Sequence, residues 1–219
     1  EIEIMGATVN NKDIQIELSV VLHPSSHIVG TGSNVGGAIG YVCAASGSRY
    51  LSKISVSIAS GVAAADATIK GSSNVGGAVG CFENCYPTNA TGISVDFSLV
   101  SGPYTIAATG TGDVNLGGVV GYFYGSTNKT EAVSPISVNL GLVSIKSDSG
   151  KNVGGAIGKT DLANGSRVLF SNTIDVTVNG SVAGGKNVGG IIGYNASRIT
   201  SLVATINGAV NSTGNDAIS

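Results

Sequence analysis

Asn34-Val35-Gly36-Gly37-Ala38-Ile39-Gly40-Tyr41 decides the fold, because the chain writes this octapeptide five times. It returns as NVGGAVGC at 74–81, NLGGVVGY at 115–122, NVGGAIGK at 152–159 and NVGGIIGY at 187–194, at spacings of 40, 41, 37 and 35 residues. A fixed motif at a period of a few tens of residues is the signature of stacked units that cannot bury their apolar face alone. The invariant positions are Asn34, Gly36, Gly37 and Gly40, then Asn74, Gly76, Gly77 and Gly80, then Asn115, Gly117, Gly118 and Gly121. Asn152, Gly154, Gly155 and Gly158 continue the series, and Asn187, Gly189, Gly190 and Gly193 close it.

A second element recurs in step with the motif. Apolar and polar residues alternate at 14–18, 54–58, 93–97, 136–140 and 174–178. Period two with β-branched residues is the pattern of a strand with one face buried and one in water. A weaker strand lies between the two elements, clearest at 67–70 and 104–107. Each unit therefore reads as about three short strands and a polar loop of variable length. The repeats fall at approximately 14–53, 54–92, 93–135, 136–173 and 174–201, with a partial repeat at 202–219, all within a single domain of 219 residues. This reading gives an all-β, parallel β-solenoid of five repeats, or β-helix, right-handed by the general preference of parallel crossovers.

Composition agrees with thin layers of Val, Ile and Ala. Charged residues make up 11%, tryptophan is absent and aromatics reach only 5%, so a core of large side chains between helices is not on offer. A mean hydropathy of +0.32 argues against disorder, which needs low hydrophobicity. The net charge is −2 and the eleven Lys and Arg residues are scattered singly, which gives no footprint for nucleic acid. No apolar run approaches the roughly 20 residues of a spanning helix, so membrane insertion is not expected. The chain begins with Glu1 and carries no signal-peptide pattern, as a processed or excised chain would.

Within the motif, Val35, Gly37 and Ile39 share one face and Asn34, Gly36, Ala38 and Gly40 the other. The first face predicts an inward column of Val and Ile. The second predicts a bare outward strip. Gly37 either leaves room for a close backbone approach or adopts dihedrals that a side chain forbids. The repeated Asn has two readings of equal weight: an amide ladder running up the stack, or a turn residue.

The pattern N-[VL]-G-G-x-[IV]-G-[YCK], repeated with intervening strands, resembles the GLUG repeat of bacterial surface adhesins and of the non-catalytic N-terminal part of IgA-specific metallopeptidases. The resemblance covers about 14–211, and its specific part is the Gly-Gly-x-[IV]-Gly core. It implies a β-helical stack at a secreted or cell-surface location. It carries over no active site, and the chain contains no His-Glu-x-x-His zinc motif.

Other chemistry is sparse. Cys81 and Cys85 are close enough in sequence to close a small disulfide loop, with Cys43 an alternative partner and free thiols the remaining reading. His23 and His27 lie around Pro24, in a loop where a metal site is not expected. The thirteen acids are spread along the chain; Asp96 and Asp175 occupy comparable strand positions, whereas Asn139 intervenes. Neither a converging carboxylate pair nor a G-x-S-x-G elbow points to an enzyme, and no cofactor or metal is implied. Sequons begin at Asn89, Asn128, Asn164, Asn179, Asn195 and Asn211. Asn89, Asn128, Asn164 and Asn195 each follow a motif, which would string glycans along one edge of the stack if the source glycosylates Asn.

Tyr41, Tyr122 and Tyr194 also follow the motif, with Cys81 and Lys159 in the other two repeats. Such a column either stacks on sugars or wedges against the neighbouring loop. No polar cap is visible at either end, which suggests either a fragment of a longer repeat protein or head-to-tail association into a fibre. The expectation is a non-enzymatic structural subunit of an extracellular fibre or surface adhesin, self-associating head to tail or laterally. The alternative is an adhesin module that binds carbohydrate or a host surface protein, and a polysaccharide-active enzyme comes last.

Overall fold

The computed structural model describes residues 2–4, 17–44, 53–84, 92–125, 131–132, 135–162 and 168–214. The chain is an all-β solenoid whose named strand pairs are all parallel, and the described residues contain no helix. Each coil passes through four sheets, which we number I to IV in chain order. Sheet I stacks Glu17–Leu22, Lys53–Ile58, Gly92–Asp96, Ile136–Asn139, Val168–Val178 and Arg198–Ile206, with Glu131–Ala132 at one edge; in the first coil Leu18, not Ile14, stands opposite Ile54, four residues on from the start of the segment expected at 14–18. Sheet II stacks His27–Val29, Thr68–Gly71, Thr105–Ala108, Ser144–Ser147, Val182–Gly184 and Val210–Ser212.

The octapeptide supplies the other two sheets. Its first half forms sheet III, from Asn34–Gly36, Asn74–Gly76, Asn115–Gly117, Lys151–Gly154 and Lys186–Gly189. Its second half forms sheet IV, from Ile39–Ala44, Val79–Glu83, Val120–Gly125, Ile157–Leu162 and Ile192–Asn195, with Ile2–Ile4 at one edge. The motif is therefore two strands joined by a tight arch, and each coil has four principal strands where the sequence pattern suggested about three. The five copies enclose four full turns between the first and the last.

Register is set by the apolar columns, because a slip of one residue would turn each column outward. Ile54, Ile93, Ile136 and Ile174 stack in sheet I, as do Val56, Val95, Val138 and Val176. Ile69, Ile106 and Ile145 stack in sheet II, and Val75, Leu116 and Val153 in sheet III. All of these are 3% exposed or less. Fully burying one such aliphatic side chain is worth about 1.5–3 kcal/mol, so the columns are the main glue of the rod. In sheet IV the column Val42, Phe82, Phe123, Thr160 is equally closed, and the Phe82 and Phe123 rings stack at 5.0 Å and 8°.

The arch explains the glycines, and it reverses one expectation. The strip Asn34, Gly36, Ala38, Gly40 does not face outward; in the following copies Gly76, Ala78 and Gly80 are buried. The arch folds the strip onto itself, so sheets III and IV meet backbone to backbone. A Cβ on Gly76 would overlap the Val79 carbonyl oxygen of its own arch, and one on Gly121 would lie 2.6 Å from both the Gly80 oxygen and the Val75 nitrogen. At the tip, a Cβ on Gly118 would overlap the Gly155 carbonyl of the next coil. None of the motif glycines has a positive φ, so close approach, and not dihedral freedom, demands glycine here. Paired amides seal the tip from coil to coil: Ala78 and Val79 both donate to the Val119 carbonyl at 3.0 Å.

The motif asparagines form the ladder. Asn74 Nδ2 donates to Asn34 Oδ1 at 2.7 Å, Asn115 to Asn74 at 2.7 Å, Asn152 to Asn115 at 2.9 Å and Asn187 to Asn152 at 2.8 Å. Asn152 and Asn187 also sit in the left-handed region, at φ 59° and 47°. Asn tolerates that conformation better than most residues, and it lets Lys151 and Lys186 join the strands without moving the amides out of line.

Candidate functional site on the tyrosine face

The outer surface of sheet IV brings tyrosines, acids, a lysine and thiols together. The buried column Val42, Phe82, Phe123, Thr160 forces the residues on either side of it outward, since successive side chains of a strand alternate. Two outer columns result. One runs Tyr41, Cys81, Tyr122, Lys159, Tyr194, and the other Cys43, Glu83, Tyr124, Asp161.

The two columns are stitched together diagonally. The Tyr41 hydroxyl donates to Glu83 Oε2 one coil further on, and the Tyr122 hydroxyl donates to Asp161 Oδ2 at 3.3 Å in the same sense. A two-coil periodicity is thus laid over the one-coil repeat. Lys159 Nζ pairs with Asp161 Oδ2 at 2.8 Å, and it lies 5.4 Å from the Tyr122 ring centroid and 5.5 Å from that of Tyr194. Tyr124 packs 5.9 Å from Tyr122. The tyrosines therefore lean along the stack onto acids and a lysine; the loops that follow sheet IV in the first four coils, and with them the expected wedge, lie outside the described residues.

These contacts keep two of the phenols protonated. Partial burial first, and then the hydrogen bond to Glu83, pushes the Tyr41 phenol well above its ordinary value. Partial burial and the Asp161 charge do the same for Tyr122. Cys81 is 4% exposed, and burial together with Glu83 pushes its thiol up to about 12. An inert thiol follows, because thiolate is the reactive form. Cys43 is half-buried, and both Cys43 and Cys81 are free. Cys43 stands opposite Glu83, and not opposite Cys81. Cys85 lies outside the described residues; Cys81, its expected partner, carries a free thiol.

The remaining sequence candidates disperse over the surface. The His23 ring accepts from the Ser25 amide at 3.1 Å, and His27 approaches Asp66 at 3.4 Å on an exposed edge. No group of three His, Cys, Asp or Glu side chains able to hold a metal occurs among the described residues. Asp96 and Asp175 are not equivalent after all. Asp96 lies opposite Asn139, whereas Asp175 lies opposite Ser137, because Asp96 is the fourth residue of its alternating segment and Asp175 the second. Asp96 accepts from the Ser98 amide at 3.0 Å, the work of a turn residue.

Of the sequons, Asn89, Asn128 and Asn164 lie outside the described residues, and with them most of the proposed glycan edge. Asn195 is exposed and accepts from the Ser197 amide at 3.0 Å and from the Ser197 hydroxyl. Asn179 accepts from Asn207 at 2.8 Å, and Asn211 is exposed in Val210–Ser212.

Glu83, Tyr124 and Asp161 were not singled out by sequence reasoning. They fall two residues beyond the motif's last position, in segments whose strand pattern becomes visible only once Phe82 and Phe123 are known to point inward. Comparison of the chain with protein families, with curated proteins and with solved structures gave no match.

Proposed function

We propose that the chain is a non-enzymatic rod element of an extracellular fibre or surface adhesin, whose task is to set length and stiffness. The observation that carries this reading is the Asn34-to-Asn187 ladder inside a stack joined by parallel strands in four sheets. Every coil repeats the contacts of its neighbour, so stability is a sum of nearest-neighbour terms along one axis. Length can then grow without redesigning a core. The surface location rests on the resemblance described above.

Continued stacking is part of the proposal. In the last described coil, Ile191, Ile192, Ile199, Leu202, Ile206 and Val210 line an apolar concavity of about 500 Å³, and Leu202 and Val203 are about half exposed. An apolar patch of this kind marks a contact surface. A further β-coil, whether from a longer chain or from a second copy stacked head to tail, is the covering that continues the inner columns. Negative-stain microscopy and mass photometry of the purified chain test the idea. End-to-end rods support it, and compact single-chain particles at high concentration count against self-association.

A further inference from the structure

We propose that the outer face of sheet IV binds a neutral polysaccharide chain lying along the rod axis, on the platform of Tyr122, Tyr124, Lys159, Asp161 and Tyr194. This goes beyond the rod reading and does not depend on it.

The first reason is geometric. Tyr41, Tyr122 and Tyr194 stand in one register column at every second coil, about 9.6 Å apart from the spacing of paired strands. A linear ligand that offers an apolar ring face at intervals along its length matches such a column. A sugar ring does this, since its axial C–H bonds form a weakly positive face that meets the negative face of an aromatic ring.

The second reason is preorganisation. The Tyr122 hydroxyl is held by Asp161, and its ring is flanked by Lys159, which in turn spans to Tyr194. The Lys159 and Asp161 side chains are only 23% and 32% exposed, so their rotamers are already restricted. A ligand would then bind without the usual cost of about 0.5–1.5 kcal/mol for each side chain it immobilises.

The third reason is the kind of polar group present. A carboxylate has about four lone-pair sites and an ammonium three donors. Asp161 accepts from Lys159 and Tyr122, and Glu83 accepts from Tyr41, so fixed charges and hydroxyls of the kind that recognise sugar hydroxyls lie beside the rings. Two carboxylates against one ammonium also make the face unfavourable to polyanions.

The test is affinity electrophoresis of the whole chain in native gels cast with a neutral glucan, a neutral mannan or alginate, the acidic control. We expect retardation by at least one neutral polymer and none by alginate. Tyr194→Ala, at a residue 44% exposed, should weaken retardation about tenfold with an unchanged melting temperature, and Asp161→Asn, which keeps the shape but gives up the ion pair with Lys159, should weaken it as well. Failure of every neutral polymer to retard the folded chain overturns the proposal. So does stronger retardation by alginate, or retardation that survives in the Tyr122→Ala/Tyr194→Ala double variant.

Discussion

Asn152 donates its amide to Asn115 Oδ1 across 2.9 Å, with the two residues 4% and 6% exposed. A buried amide with unmet partners costs about 1–3 kcal/mol, so the chain of amides is stable only while each link is filled from both sides. The backbone of Asn152 adds a second demand through its φ of 59°.

Asn152→Ala therefore faces two penalties: the orphaned groups on Asn115 and Asn187, and about 1–2 kcal/mol for a side chain in the left-handed region. Asn152→Gly faces only the first. We expect urea unfolding to show both variants destabilised, with Gly the milder of the two. Equal midpoints would mean that the backbone at this position carries no strain.

Glycines that look alike in sequence should respond very differently to alanine. Gly118→Ala places a methyl into the Gly155 carbonyl, with Leu140 Cδ1 only 2.9 Å away, and should cost more than about 3 kcal/mol because two coils must separate. Gly32 has nothing within 4 Å of a Cβ and no positive φ, so Gly32→Ala should be neutral or stabilising by up to about 1 kcal/mol. Thermal melts of the two variants, side by side, make the comparison.

Tyr104 is fully buried, and its hydroxyl has no hydrogen-bond partner among the described residues. Removing an unsatisfied buried group without changing shape relieves its desolvation cost, so Tyr104→Phe should raise stability by about 1 kcal/mol. Burial pushes the phenol up to about 12 from 10.0. The folded state thus holds this proton more tightly than the unfolded state. That contribution is complete below pH 10 and is lost as pH climbs toward 12. The wild type should lose stability faster than Tyr104→Phe across that window in denaturant titrations.

Cys43 and Cys81 should separate in an alkylation time course. At pH 8 in native buffer, iodoacetamide should modify half-buried Cys43 well before buried Cys81, whose thiol is pushed up to about 12. In denaturant the two rates should converge. Peptide mass spectrometry resolves the sites, and a fast native reaction at Cys81 would show that the face opens.

Spacing carried the fold. Five octapeptides in step with alternating segments sufficed to place the strands in parallel stacks, since a period repeated five times leaves few other ways to bury Ile54, Ile93 and Ile136 together. Two things were not legible. The sequence shows that Gly36 and Gly40 share a side, but not that the chain doubles back at Gly37 and closes that side on itself; simple alternation breaks at an arch. Likewise Tyr41 and Glu83 are 42 residues apart, and their meeting depends on a diagonal between columns that no linear period records. The Asn ladder was half legible: stacking was implied, whereas the direction of donation needed coordinates.

All four ladder bonds from Asn187 down to Asn34 point the same way along the axis, and the strand-to-strand bonds run along it as well. Tension applied between the two ends of the rod therefore does not shear rows of bonds together. It peels them, one coil after another. With 35 to 41 residues per coil, each rupture releases roughly 115–150 Å of contour. Under load the molecule becomes a ratchet of near-equal steps, lengthening at each one while the coils behind it stay closed.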